Sequence, residues 1–283
     1  MTPCINQVTT LSTPFEADLS AYARGGWTAV ELWLTKLETF LEAHSVAEAH
    51  ALLEANNLQA LGASGQGGLL LSRGAERAAH WDLFRRRLDV LAALGVPTLV
   101  VAADPGGGVA EVDDYGRASA ALAEAAEAAG RAGIGLALEF QKTSRFCASL
   151  DTALALVAQC GVEGLGVCLD LFHYYTGPSK FEDLAYLSPA NLAWVQVCDL
   201  SGTPRELAGD SDRILPGDGD FATGPILDHL AAIGYAGGVS LEVLNPRLWA
   251  VPADRVADAA FQATSRLLAG RGPHVAPLPV RGP

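Results

Sequence analysis

Four polar residues stand at the ends of four apolar runs in the second half of this 283-residue chain. They are Glu139 in LALEF, Asp170 in VCLDLFH, Gln196 in WVQVCD and Glu242 in VSLEV. Each run is typical of a strand buried on both faces, where a polar group costs free energy unless something binds it. Four oxygen-bearing side chains at the ends of four successive strands predict a metal site at the mouth of a barrel.

The elements that would position these residues alternate along the whole chain. Eight short apolar segments, most of them bounded by Gly, Asn or Asp, are typical of parallel strands in a core. They cover residues 4–8, 29–33, 58–63, 98–103, 135–140, 165–171, 192–198 and 238–243. Helical patterns fill the gaps, most clearly at residues 75–94, 114–132, 150–160, 221–233 and 253–268.

Eight strand–helix units in series predict an α/β protein, either a closed (β/α)8 barrel or a large doubly wound sheet. No GxGxxG follows the first strand, which disfavours a dinucleotide-binding sheet. The length is typical of one barrel, so we expect a single barrel domain over residues 1–270. The Pro- and Gly-rich segment 271–283 (RGPHVAPLPVRGP) is expected to be a loosely held tail.

Composition disfavours several classes of partner. Nineteen basic against 32 acidic residues give a net charge of −13, which argues against nucleic acid but leaves room for a small anionic substrate. No apolar run approaches the roughly 20 residues of a membrane span, and the N-terminus lacks the pattern of a signal peptide. Five cysteines without a CxxC pair are typical of a reduced, cytoplasmic protein.

Several motifs together resemble those of the xylose-isomerase-like TIM barrel superfamily, the sugar phosphate isomerase/epimerase group. They are Glu139, the Asp-x-x-His from Asp170 to His173, Asp199 after the seventh strand, Arg213 with the PGDGDF turn that follows it, and Glu242. The resemblance spans all eight strands. It implies that Glu139, Asp170, Gln196 and Glu242 hold one divalent cation.

Gln196 departs from most of these relatives, which carry His at the third ligand position. A Gln there resembles the hydroxypyruvate isomerase and bacterial 3-dehydroshikimate dehydratase branches. Because Gln offers a carbonyl oxygen instead of an imidazole nitrogen, the ligand set becomes all-oxygen. Such a set favours Mn²⁺ or Mg²⁺, with Co²⁺ and Zn²⁺ as the alternatives.

A cation chelated by a carbonyl and its neighbouring hydroxyl acidifies the proton between them and stabilises the enediolate. Glu139 and Glu242 are the candidates to remove and return that proton, since their strands flank the site. The resemblance implies that His173 donates to a substrate oxygen and that Arg213 clamps a substrate hydroxyl or carboxylate. Asp199 would orient a ligand or Arg213.

Simpler interpretations stay open for these outer residues. His173 could bond only a backbone carbonyl, and Arg213 could be a surface charge. Glu31, in AVELWL, either reaches the pocket as a substrate-binding group or forms a salt bridge with Lys36. Trp33 either walls a sugar pocket or fills the core.

The sequence therefore predicts a divalent-metal-dependent isomerase or epimerase of a small sugar or hydroxy-keto acid. Because the same enolate can expel a β-hydroxyl, the alternative is a dehydratase or lyase of the 3-dehydroshikimate or inosose type. A third alternative is a barrel that binds a sugar without turning it over, which the intact Glu139 and Glu242 disfavour. The resemblance also allows a homo-oligomer.

Overall fold

Eight parallel strands close into a barrel in chain order, as the spacing of apolar segments predicts. The computed structural model describes residues 1–105 and 113–269. The strands are β1 (Thr2–Asn6), β2 (Ala29–Trp33), β3 (Gln59–Gln66), β4 (Thr98–Ala102), β5 (Gly135–Glu139), β6 (Leu165–Asp170), β7 (Leu192–Val197) and β8 (Gly238–Leu241). The single (β/α)8 barrel is confirmed, while the proposed tail and the boundary at residue 270 lie outside the described residues.

Helices surround the barrel. In the described residues they are α1 (Phe15–Arg24), α2 (Leu34–Leu41), α3 (Val46–Ala55), α4 (Gly74–Ala93), α5 (Asp114–Arg131), α6 (Leu150–Cys160), α7 (Leu171–Thr176), α8 (Thr223–Ala232), α9 (Pro246–Trp249) and α10 (Ala253–Leu268). The five predicted helices correspond to α4, α5, α6, α8 and α10. Helix α6 ends as predicted at Gly161, whose φ of 61° is the left-handed conformation that glycine favours. None of the described helices is both long and apolar enough to cross a membrane.

The two faces of each strand pack into different cores. Outward-facing residues such as Ile5, Val30 and Val167 join the large core between the strands and the helices. The inward-facing residues form a second, smaller cluster inside the barrel: Cys4, Ala29, Val100, Ala137, Cys168 and Trp194. Because side chains alternate along a strand, the next inward position on each strand lies one layer nearer the C-terminal mouth.

Trp194 is the largest residue of this inner cluster. The ring is buried and lies against two glycines, Gly62 on β3 and Gly238 on β8. A Cβ at Gly62 would lie 2.9 Å from the ring, and one at Gly238 would lie 2.6 Å from it. Both glycines are therefore needed for close approach, and the indole fills the space beneath the mouth.

Gly238→Ala tests this packing. The added methyl must displace either the indole or the strand, so we expect a loss of about 1–3 kcal/mol in the free energy of unfolding. Urea denaturation followed by tryptophan fluorescence measures it. Gly116→Ala in α5 is the matched control, because its Cβ meets no atom within 4 Å; equal stability of the two variants would contradict the packing role.

Candidate metal centre and active site

A ring of polar side chains lies one layer above the inner cluster. Each member stands two residues after an inward-facing position on its own strand, and all are buried: Asn6, Glu31, Glu139, Asp170, Gln196 and Glu242. Neighbouring strands hold the ring in register, since Asp170 is paired with Gln196 and Asn6 with Glu31. The four strand-end residues singled out in the sequence therefore share one layer with two further polar residues.

Arg213 forms ion pairs with two members of the ring. Its Nη1 lies 2.7 Å from Asp170 Oδ2 and 3.0 Å from Glu242 Oε2. The opposite oxygen of Glu242 accepts hydrogen bonds from Asn6 Nδ2 and Gln196 Nε2, both at 3.0 Å. Both oxygens of the Glu242 carboxylate thus have donors, which hold the side chain in one orientation.

Gln196 links Glu242 to Glu31. Its Nε2 donates to Glu31 Oε1 at 3.0 Å as well as to Glu242, and its Oε1 accepts from Cys168 Sγ at 3.1 Å. The carbonyl oxygen predicted to bind the cation therefore faces the barrel interior in this structure. Its role as a metal ligand stays a prediction.

Glu139 has one oxygen held and one oxygen facing the site. Gln141 Nε2 donates to Glu139 Oε2 at 2.7 Å, while Oε1 lies 3.9 Å from His173 Nε2. The backbone N–H of Lys142 points at His173 Nδ1 from 3.4 Å. Arg213 Nη2 lies 3.5 Å from His173 Nε2. Because a backbone N–H and a guanidinium N–H can only donate, neutral His173 accepts from one of these groups and carries its proton on the other ring nitrogen.

The charges of the site favour a cation. Oxygens of Glu139 and Asp170 and a ring nitrogen of His173 lie within 4.8 Å of one another, all buried. When ionised, the carboxylates of Glu139, Asp170 and Glu242 together with Arg213 leave a formal charge of −2. A divalent cation would cancel that charge, so the donor set fits one.

The pKa values divide the carboxylates into two kinds. Burial raises the pKa of both Glu139 and Glu242 well above the ordinary value, and repulsion from Asp170 adds to it, while Arg213 opposes the shift. Burial is also the largest single effect on Asp170 and acts in the same direction, but Arg213 and the other neighbours of Asp170 together outweigh it and lower the pKa to about 2. Burial lowers the pKa of His173 to about 4. At neutral pH Asp170 is therefore ionised and His173 uncharged.

Asp199 shapes the loop that carries Arg213. Its Oδ2 accepts the N–H of Gly217, its Oδ1 accepts the N–H of Phe221, and its backbone pairs with Ile214. A Cβ at Gly219 would lie 2.4 Å from Asp199 Oδ1, so the turn needs glycine there. Asp199 thus holds the backbone next to Arg213, and its predicted role in orienting Arg213 stays a prediction.

Glu31 and Lys36 do not pair with each other. Lys36 Nζ bonds the carboxylate of Asp18 and the carbonyl oxygens of Gln7 and Thr10. The alternative of a salt bridge from Glu31 to Lys36 is wrong, because Glu31 points inward, where its Oε2 is buried without a hydrogen-bond partner. Burial raises the pKa of Glu31.

Trp33 borders a separate cavity of about 460 Å³ between the loop after β1 and helix α2. The ring also lies 3.5 Å from the Cβ position of Gly65. Trp33 is half-buried. Its position at the end of β2 is compatible with a wall for a substrate, which stays a prediction.

Three residues of the site were not predicted from the sequence. Asn6 carries the same signal as the four strand-end residues, a polar group closing an apolar run, but a strand placed over residues 4–8 puts it mid-strand. Gln141 and Asp210 lie in loops, and only the fold brings them to Glu139 and Arg213.

The chain is similar to a protein family model and to several named enzymes. The family model of the xylose isomerase-like TIM barrel matches residues 19–267. The inosose isomerase of Halalkalibacterium halodurans is 24% identical over 268 residues, covering 92% of this chain and 94% of that protein. The 3-dehydroshikimate dehydratase of Pseudomonas aeruginosa is 29% identical over 188 residues, which cover 64% of this chain but 28% of that protein.

Solved structures show the same fold. A crystal structure of the IOLI protein with a bound zinc atom superposes with a TM-score of 0.89 at 21% identity, covering 96% of this chain and 99% of that one. A D-psicose 3-epimerase in the presence of D-fructose gives a TM-score of 0.77 at 22% identity, covering 95% of this chain and all of that one. The chain belongs to the xylose isomerase-like TIM barrel family.

Proposed function

We propose that this protein is a divalent-metal-dependent isomerase or epimerase of a small sugar or hydroxy-ketone. The observation that carries the proposal is the pair of buried carboxylates, Glu139 and Glu242, whose pKa values are raised. They stand three strands apart in the ring, on either side of Asp170 and Gln196. Inosose isomerases that align along nearly their whole length support the same type of reaction.

Glu139, Asp170, Gln196 and Glu242 would hold the cation, which would polarise a substrate carbonyl and its neighbouring hydroxyl. Gln196 can present its oxygen by a half-turn of the side-chain amide, which exchanges the positions of Oε1 and Nε2. A nearby cation would favour that turn, because it attracts the carbonyl end and repels the amide hydrogens. We propose Mn²⁺ or Mg²⁺, since all four donors would then be oxygens.

Glu139 and Glu242 would move the proton. A carboxylate whose pKa is raised by burial binds a proton more readily near neutral pH, so it can serve as a base and then return the proton as an acid. Gln141 holds Glu139 Oε2 and leaves Oε1 for the substrate. His173 would donate to a substrate oxygen in its neutral form with the proton on Nε2. Burial of the ring excludes water that would otherwise compete for these contacts.

A dehydratase of the 3-dehydroshikimate type is the second candidate. It shares the proton abstraction and differs in the loss of a β-hydroxyl from the same enolate. The partial alignment with the dehydratase of Pseudomonas aeruginosa supports it. Incubation with inososes, ketoses and 3-dehydroshikimate in D₂O, followed by NMR, separates the two: isomerases exchange a carbon-bound proton and retain every hydroxyl, whereas a dehydratase releases water. Ligand binding without exchange or product would favour a non-catalytic barrel.

Glu139→Gln and Glu242→Gln should each lower kcat by roughly 10²–10⁴-fold, the usual contribution of a general acid–base residue. Circular dichroism should show the fold unchanged, because Gln retains the shape of Glu. Glu127→Gln on the exposed face of α5 is the control and should keep full activity. Wild-type turnover in either active-site variant would show that the substituted residue does not transfer the proton.

Removal of the metal gives an independent test. Dialysis against a chelator should abolish activity, and Mn²⁺ or Mg²⁺ should restore it better than Zn²⁺. Gln196→His should reverse the preference toward Zn²⁺ or Co²⁺, since imidazole nitrogen suits these ions. Titration calorimetry with each ion measures the affinities directly. Absence of ion binding in the wild type would defeat the proposed metal site.

A further inference from the structure

Every nitrogen of the Arg213 guanidinium already has a carboxylate partner. Nη1 donates to Asp170 and Glu242, and Nε and Nη2 both face Asp210 Oδ1, at 3.3 and 3.1 Å. The ring of Phe172 covers one face of the guanidinium, with 4.4 Å from Cζ to the ring centroid. The side chain is 2% exposed. Arg213 is thus an internal counter-ion, without a free edge for a substrate anion.

Other basic groups near the mouth are engaged or exposed. His173 is 3% exposed, with Nε2 facing Glu139 Oε1 from 3.9 Å and Nδ1 facing the N–H of Lys142. Arg145, in the loop after β5, and Arg247, in α9, are exposed and lie outside the ring. Lys142 Nζ donates to the carbonyl oxygens of Arg205 and Ala208, which anchors the loop after β7. Lys36 is held by Asp18 and two backbone carbonyls beside α1.

Acidic groups, by contrast, surround the place where a substrate would bind. Glu139, Asp170 and Glu242 lie in the ring, and Asp210 stands at its outer rim with a side chain that is 50% exposed. A divalent cation would cancel the formal charge of −2 left by Glu139, Asp170, Glu242 and Arg213, but Asp210 adds one further negative charge. A substrate carboxylate or phosphate would be desolvated there without gaining a guanidinium. That arrangement costs more free energy for an anion than for a hydroxyl, which can donate to a carboxylate oxygen.

We infer that the site selects an uncharged polyhydroxy ketone over carboxylated or phosphorylated analogues, and that Asp210 sets this selection by occupying Nε and Nη2 of Arg213. The inference rests on the proposed function and narrows its substrate class. It assigns Asp210 a role in specificity, and under it Arg213 would not clamp a substrate carboxylate. Of the three carboxylates on Arg213, only Asp210 reaches solvent, so its loss would uncover the outward edge of the guanidinium.

The test compares matched ligands on the Mn²⁺-loaded protein. D-fructose is paired with D-fructose 6-phosphate, and an inosose with 3-dehydroshikimate, in deuterium exchange from D₂O and in titration calorimetry. We expect the uncharged member of each pair to exchange faster and bind more tightly, by about tenfold or more. Tighter binding or faster exchange of the charged members would overturn the inference.

Asp210→Asn tests the assigned residue. It keeps the shape of the side chain but removes the charge that holds Nε and Nη2, so the preference for uncharged ligands should fall by about tenfold. Asp212→Asn is the matched control: it removes the same charge two residues away, where the carboxylate accepts the N–H of Gly209 instead of contacting Arg213. If both variants showed the same ratio of affinity for uncharged over charged ligands, the role of Asp210 would be refuted.

The ratios of calorimetric affinity for uncharged and charged ligands also distinguish failure of the proposed function from failure of the charge selection. If no ligand exchanges deuterium but the uncharged ligands still bind preferentially, the proposed isomerase function fails and the charge selection stands. If exchange occurs and charged ligands are favoured, the enolising function stands and the charge selection fails.

Discussion

Burying several carboxylates in one layer of a barrel is the constraint on which the site depends. Glu31, Glu139, Asp170 and Glu242 all lie in the ring, and each loses its hydration there. Their mutual repulsion would spread the strand ends unless positive charge or donated hydrogen bonds offset it. Arg213 meets Asp170 and Glu242, and the amide of Asn6 also donates to Glu242. The amides of Gln141 and Gln196 meet the other two, Glu139 and Glu31.

This division of partners explains why carboxylates so close together differ in acidity. Asp170 takes the shortest contact with Arg213 and the N–H groups of Phe172 and His173, so its ionised form is stabilised. Glu139 has an amide and no cation in hydrogen-bonding range, so burial dominates its pKa. One guanidinium, placed asymmetrically in the ring, separates a carboxylate that stays charged from one that can exchange a proton.

Much of the fold and part of the site could be predicted from sequence. Strand type and order follow from apolar runs of strand length, and the four strand-end residues follow from polar groups that interrupt them. The partners could not be predicted, because loop residues such as Gln141 and Asp210 reach the ring only through backbone paths that carry no periodic pattern. The salt bridge considered between Glu31 and Lys36 rested on their nearness in sequence. It does not form because the pleat of β2 turns Glu31 into the barrel, whereas Lys36 lies on helix α2 outside the strand.

Trp194 has a consequence for how the site is filled. The indole and the two glycines against it close the barrel directly under the ring, so the described structure offers no second way in from below. An ion held by the ring carboxylates and a ketone bound above it would then share a single entrance. The deeper of the two would have to arrive first and leave last, so binding would be ordered, and a substrate bound above would slow the escape of the ion beneath it.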